Sequence, residues 1–187
     1  FLSDDERIRL LKSCKGSNNQ YLYMCVIFAL STGMRRGELM SLKWDDINLN
    51  EGYLILNDTK NDERRRVALT GHALELIRKH SKVKLSNTDL LFPGKNHEHP
   101  IDLRKSFANA LKQAEIIDFK WHDLRHCTAS YLAMNGASLA EIAEVLGHKT
   151  LQMVKRYAHL SDAHLSDAHV SSVVESMNNK MFGEING

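Results

Sequence analysis

A mainly helical fold carrying one small three-stranded antiparallel sheet is the class that this sequence predicts, and three observations lead to it. Apolar residues recur at helical spacing over both ends of the chain. Strand-like alternation is confined to a middle stretch, where Glu51-Gly52 and Asn61-Asp62 supply turn signals. With 187 residues and 43% hydrophobic content, the chain is long enough to bury one sizeable core.

Each element has its own signature. Ser3-Asp4-Asp5-Glu6 reads as a capping box that opens a short helix containing Leu10 and Leu11, with Gly16 as its stop. Residues 21–32 are almost wholly apolar, as in a helix buried on most sides, and Gly33 breaks it. Residues 35–43 predict a further helix with Leu39 and Leu42 inward. Ile47 and Leu49, then Tyr53 and Ile55, alternate around Glu51-Gly52 and suggest a hairpin. The turn at Asn61-Asp62 leads into a third strand, Arg66-Val67-Ala68-Leu69. Thr70 is placed to cap a helix reaching about His80, and Pro93-Gly94 marks a loop. Leu103, Phe107, Ala110, Leu111 and Ala114 form one helical stripe. A helix over 123–134 stops at Asn135-Gly136, and Ser138-x-x-Glu141 caps another that Gly147 ends. Residues 151–160 predict the last helix. Ala158-His159-Leu160-Ser161-Asp162 recurs at 163–167 and then fades, a duplicated tail segment and not a solenoid period.

Bulk charge says little, because a net charge of +2 with a pI near 8.4 is only mildly basic. Its distribution says more. Between Lys60 and Lys84 eight basic residues stand against three acidic ones, a local excess expected of a phosphate-facing surface. Cys14, Cys25 and Cys127 are odd in number and show no C-x-x-C, which suits a reducing cytoplasm better than a disulfide-stapled fold. The longest apolar run, 24–30, is too short to span a bilayer. Phe1 is not an initiator methionine, so the sequence is expected to be an excised piece of a longer protein.

Four stretches carry residues that core building does not require. In Gly33-Met34-Arg35-Arg36-Gly37-Glu38, Arg35 falls at a helix N-terminus, where the dipole favours an anion; an Arg35–Glu38 surface pair is the bland explanation. In Trp121-His122-Asp123-Leu124-Arg125-His126, His122 and Arg125 are three apart at a helix start, joining a proton carrier to a rigid fork of donors suited to phosphate. His148 follows the Gly147 stop and, alone, reads as a cap or core residue. Tyr157 sits with Met153, Val154 and Leu160, and alone reads as a buried structural tyrosine.

Their joint order is what carries information. A G-x-R-x-x-E, then a lysine in a turn, then H-x-x-R, then G-H, then a tyrosine nine residues on: the chain resembles the catalytic domain of tyrosine recombinases, the phage integrase family, from Phe1-Leu2-Ser3 to about Leu160. The resemblance implies that fold over 1–162, a tail at 163–187 that docks on a neighbouring protomer, and an N-terminal DNA-binding domain absent from this piece. It implies a site-specific recombinase that cleaves and rejoins double-stranded DNA through a 3′-phosphotyrosine, without ATP, cofactor or metal. Arg35 and Arg125 would grip the scissile phosphate, Tyr157 would attack it, and His122 would take the phenol proton. Lys60, in Asp58-Thr59-Lys60-Asn61-Asp62, would protonate the leaving 5′ oxygen, and His148 would bond or underpack the phosphate. A homotetramer on DNA, a monomer when free, accessory directionality factors and a nucleoid-associated place in the cytoplasm, for a bacterial or phage-encoded protein, complete the expectation. Two alternatives stand beside it: a silent DNA-binding regulator on the same fold, and relaxation of DNA like that of a type IB topoisomerase. Ten histidines raise the question of a metal, but neither His97-Glu98-His99 nor His159, His164 and His169 matches a zinc-ligand spacing.

Overall fold

A computed structural model describes residues 1–58 and 63–162 of the chain. The described elements run in the order α1 (Asp4–Lys15), α2 (Leu22–Thr32), α3 (Arg36–Met40), β1 (Ile47–Asn48), β2 (Tyr53–Asp58), β3 (Glu63–Ala68), α4 (Gly71–Ser81), α5 (Arg104–Gln113), α6 (Asp123–Met134), α7 (Leu139–Leu146) and α8 (Ala158–Asp162), with short 3-10 turns between some of them. The described residues divide into two compact units, one within 1–128 with 145–147 and the other comprising 129–144 with 148–162. The expected tail at 163–187, the second copy of the repeat and Lys60 lie outside the described residues.

The first unit is built around α2. Its sequence is apolar all round, so it is buried from Leu22 through Ala29, with only Tyr23 less than fully covered. The α1, α3 and α4 helices pack against it, and α5 packs on α1. Phe28 and Tyr21 meet Phe92 edge-on, with ring centroids 6.0 and 5.9 Å apart, the geometry that aromatic quadrupoles favour. Every residue of the predicted Leu103–Ala114 stripe is buried. The Ser3 capping box forms as expected: the Ser3 hydroxyl accepts from Glu6 N at 3.2 Å and Glu6 Oε2 accepts from Ser3 N at 2.8 Å.

The sheet is three-stranded and antiparallel in the order β1-β2-β3, with Ile47 opposite Leu54 and Leu54 opposite Val67. Its buried face is Leu54, Leu56, Val67 and Leu69, while Tyr53 and Ile55 on the opposite parity are half-buried. In an unbroken run such as Tyr-Leu-Ile-Leu both parities are apolar, so local pattern does not choose the face; packing does.

Two helices are shorter than expected. The segment predicted at 35–43 is helical only over Arg36–Met40, because Leu42 and Trp44 leave the helix to pair with the 89–91 segment through Leu91 N–Leu42 O (2.8 Å) and Trp44 N–Asp89 O (3.0 Å). The segment predicted at 151–160 is two 3-10 turns, Leu151–Met153 and Lys155–Tyr157, before α8 begins. Three-residue spacing stacks Val154 and Tyr157 on one side, and both are buried, whereas Met153 is exposed.

In the second unit α6 ends at Gly136 (φ 82°), and Ser138 opens α7 with a full capping box: its hydroxyl accepts from Glu141 N at 3.2 Å, and Glu141 Oε2 accepts from Ser138 N at 2.7 Å. Among the described residues its buried apolar side chains are Ala129, Ala133, Ile142, Ala143, Val154 and Tyr157.

Candidate active site

Gly33 shapes the start of the site. It adopts φ 63°, and a Cβ there would overlap Leu146 Cδ2 and stand 3.4 Å from Thr128 Cγ2. Only glycine combines the left-handed backbone with that close approach. The turn ends α2, and it points the Gly33 carbonyl at Arg125, two positions before Arg35.

Arg125 lies in the first turn of α6 and is 4% exposed. Its Nη1 donates to Gly33 O at 2.6 Å and its Nη2 to Leu146 O at 2.6 Å. Leu146 closes α7, so the guanidinium sits where the helix dipole and its unsatisfied carbonyls favour a cation. Thr128, one turn on, approaches the α2 carbonyls of Ala29 and Leu30 with its hydroxyl, at 3.2 and 2.9 Å. A buried guanidinium anchored at both terminal nitrogens is a pre-oriented fork, and each of those nitrogens carries a second N–H.

Arg35 precedes α3 and is held by Glu38. Glu38 Oε2 accepts from Arg35 N and Oε1 from Arg35 Nη1, both at 2.8 Å. The surface pair that offered a bland explanation of this motif is therefore present, and 44% of the Arg35 side chain remains accessible. A third guanidinium joins the pair, that of Arg65 on β3, whose Nη2 donates to Glu38 Oε2 at 3.1 Å. Burial pushes the Arg65 guanidinium below the usual arginine value; the Glu38 carboxylate opposes this, and neighbouring Arg35 adds to it. The motif reading did not single out Arg65. The available signal was strand parity: in Arg64-Arg65-Arg66-Val67-Ala68-Leu69 the middle arginine shares the face of buried Val67 and Leu69.

His122 is exposed just ahead of α6, and its ring meets that of His126 edge-on at 5.1 Å. The first unit thus holds Arg35, His122 and Arg125, with Arg35 and Arg125 joined through the Gly33 segment. The second unit holds His148 and Tyr157. His148 follows Gly147 (φ 63°) and donates its backbone N–H to Ala143 O at 2.8 Å, a six-to-one closure of α7. Tyr157 is 6% exposed on its 3-10 turn, where its N–H donates to Val154 O at 2.9 Å.

The basic stretch after Lys60 is not one uniform phosphate-facing surface. Arg65 turns inward, Arg66 lies over the Tyr53 ring at 3.8 Å, and Arg78 donates to Leu49 O from Nε and Nη2 at 3.2 and 2.9 Å. Several of its cations hold the sheet and α4 in place. A concavity of about 490 Å³ near the first hairpin includes Asp45 and Asp46 and none of the candidate residues.

All three cysteines are buried thiols. Burial pushes the Cys14 thiol up to about 12 and raises those of Cys25 and Cys127. Among the described residues no helix is long and apolar enough to cross a membrane.

The chain is 33% identical over 165 residues to a shufflon-specific DNA recombinase of Escherichia coli, covering 85% of this chain and 40% of that protein. It is 31% identical over 173 residues to the integrase of Salmonella phage P22, covering 86% and 44%. The chain therefore spans less than half the length of these curated relatives. Among solved structures, the catalytic domain of bacteriophage HP1 integrase matches with a TM-score of 0.70 at 29% identity, covering 94% of this chain and 93% of that one. The XerA recombinase structure matches with a TM-score of 0.75 at 26% identity, covering 95% of this chain and 63% of that one. These neighbours share the helical fold with its three-stranded antiparallel sheet. The sequence profile of the phage integrase family matches residues 1–164, and the chain belongs to that family.

Proposed function

We propose that this chain is the catalytic part of a site-specific DNA recombinase that cuts and reseals strands through a covalent bond between Tyr157 and a 3′ phosphate. The observation that carries the proposal is the guanidinium pair built on the Gly33 turn: Arg125, anchored on two carbonyls, and Arg35, oriented by Glu38. A XerH recombinase whose structure was solved bound to its difH substrate in a post-cleavage complex resembles this chain at 25% identity, with a TM-score of 0.73.

The reaction needs charge stabilisation first. As the Tyr157 oxygen bonds to phosphorus, negative charge grows on the two non-bridging oxygens, and guanidiniums fixed beforehand stabilise that state more than the ground state. His122 takes the phenol proton, needed because a free phenol ionises only near pH ~10. The bond from phosphorus to the 5′ oxygen breaks, and Lys60 gives that oxygen a proton. His148 bonds the phosphate. The product ester keeps the energy of the broken phosphodiester, so a hydroxyl from a second strand reseals the backbone without ATP. Strand exchange in this reading uses a tetramer on DNA, with residues 163–187 docking on the adjacent protomer; the three buried thiols suit a reducing cytoplasm.

A nicked substrate that lets the leaving strand diffuse away tests the proposal. A denaturation-resistant protein–DNA adduct is expected from the native protein and not from Tyr157→Phe. An adduct that persists in the variant refutes the nucleophile. Tight, salt-sensitive binding without any adduct on any substrate would instead assign the chain to non-cleaving DNA binding.

A further inference from the structure

We propose that Arg65 is a positioning residue for strand cleavage: it balances the carboxylate that orients Arg35 and pins the last turn of α7 at Gly147. The inference rests on the reading of Arg35 as a phosphate-gripping group.

Three arginines follow one another on β3, and their fates differ by parity. Arg64 and Arg66 are exposed, while Arg65 points with Val67 and Leu69 into the covered face, its side chain 20% exposed. An arginine on the buried face of an edge strand is expensive unless it is paired, and this one is paired twice. Nη2 donates to Glu38 Oε2 at 3.1 Å, and Nη1 donates to Val145 O at 2.6 Å. The backbone of residue 147 lies directly against it: a Cβ on Gly147 would stand 2.7 Å from Arg65 Nε and 2.8 Å from Cδ and Cζ. Successive carbonyls at the end of α7 are thus taken by two different guanidiniums, Val145 O by Arg65 and Leu146 O by Arg125.

The electrostatic consequence concerns Arg35. Glu38 uses both carboxylate oxygens on Arg35, which fixes the guanidinium and at the same time neutralises it. A lone Arg35–Glu38 pair would present little net charge to a phosphate. With Arg65 on the same carboxylate, the triad carries one net positive charge, and Arg35, with 44% of its side chain accessible against 20% for Arg65, is its more exposed guanidinium. Glu38 supplies orientation, Arg65 supplies the compensating charge, and Arg35 remains a cation toward DNA.

The test uses the full-length protein, with single-turnover cleavage of the nicked substrate at saturating DNA and a separate binding measurement. Arg65→Gln is expected to slow cleavage by about 100-fold, the scale of losing one fixed charge-stabilising group, with DNA affinity nearly unchanged. Arg65→Lys is expected to regain part of that rate, because an ammonium restores the charge but cannot reach Glu38 and Val145 O as a fork. In the Arg35→Ala background, Arg65→Gln is expected to slow cleavage by no more than about twofold, since residues acting through one group are not additive. A purely structural role predicts weakened binding, no rescue by lysine and losses that multiply; any of these overturns the proposal. Should Arg65→Gln fail to fold, Arg65→Lys with and without Arg35→Ala carries the same cycle, and full activity of Arg65→Lys or multiplying losses overturns it. Arg35→Ala that cleaves at the native rate would sink the reading of Arg35 itself. An inactive Arg35→Ala beside a fully active Arg65→Gln would sink only the present inference.

Discussion

Gly33→Ala offers a sharp measure of how the guanidinium pair is built. The added methyl meets two separate obstacles. Holding an alanine at φ 63° costs about 1–2 kcal/mol, the left-handed penalty of any L residue. The methyl also overlaps Leu146 Cδ2 and presses on Thr128, both on buried residues, and overpacking of a filled core costs about 1–3 kcal/mol. Together these predict a loss of about 2–5 kcal/mol, a large part of the roughly 5–15 kcal/mol that holds an ordinary domain together. Gly71→Ala is the control, because Gly71 also has a positive φ (51°) but nothing lies within 4 Å of its missing Cβ. It should lose only the backbone term, about 1–2 kcal/mol. Urea unfolding followed by the fluorescence of Trp44 and Trp121, both in the first unit, gives the two values. Equal losses for the two variants would refute the packing argument. Because Gly33 O is also the acceptor for Arg125, cleavage by Gly33→Ala should fall even where the variant is fully folded.

Other consequences are as direct. Lys60→Ala should cleave ordinary DNA slowly yet recover on a 5′-phosphorothiolate, whose sulfur leaves without a proton; no recovery would count against Lys60 as the acid. Asp102 is held at about 2, first by its hydrogen bond from Arg104, against an ordinary value of 3.8. Its folded value is depressed, so its contribution to stability is present above pH 3.8 and disappears as pH falls toward 2; Asp102→Asn should flatten that part of a melting-temperature profile, and an unchanged slope would argue against it. The thiols of Cys14, Cys25 and Cys127 should resist iodoacetamide near neutral pH and become reactive together in denaturing urea. Rapid native labelling of any of them would show that the core is looser than described.

Where sequence was a reliable guide, the signal was local and unambiguous. Both capping boxes, at Ser3 and Ser138, need only a hydroxyl and a carboxylate three residues apart, and both form. The glycine stops at 16, 33, 136 and 147 fall where the helices end. Where it misled, a distant partner decided. Pairing with residues 89–91 cut α3 short, and tertiary burial of Val154 and Tyr157 replaced a regular helix by 3-10 turns. Alternation marked the hairpin but not which of its faces is buried, because Tyr53 to Leu56 is apolar on both parities. For the site, ordered motifs identified the catalytic candidates but not what supports them. Glu38 between two guanidiniums, and Arg65 reaching Val145 O across 80 positions of sequence, follow from folding alone.

The chemical identity of the residue joined to trapped DNA tests the central claim most directly. Proteolysis of the adduct followed by mass spectrometry should place the link on Tyr157, through a 3′ phosphate, with the released strand ending in a 5′ hydroxyl. A link to any other side chain, or to a 5′ phosphate, would contradict the account.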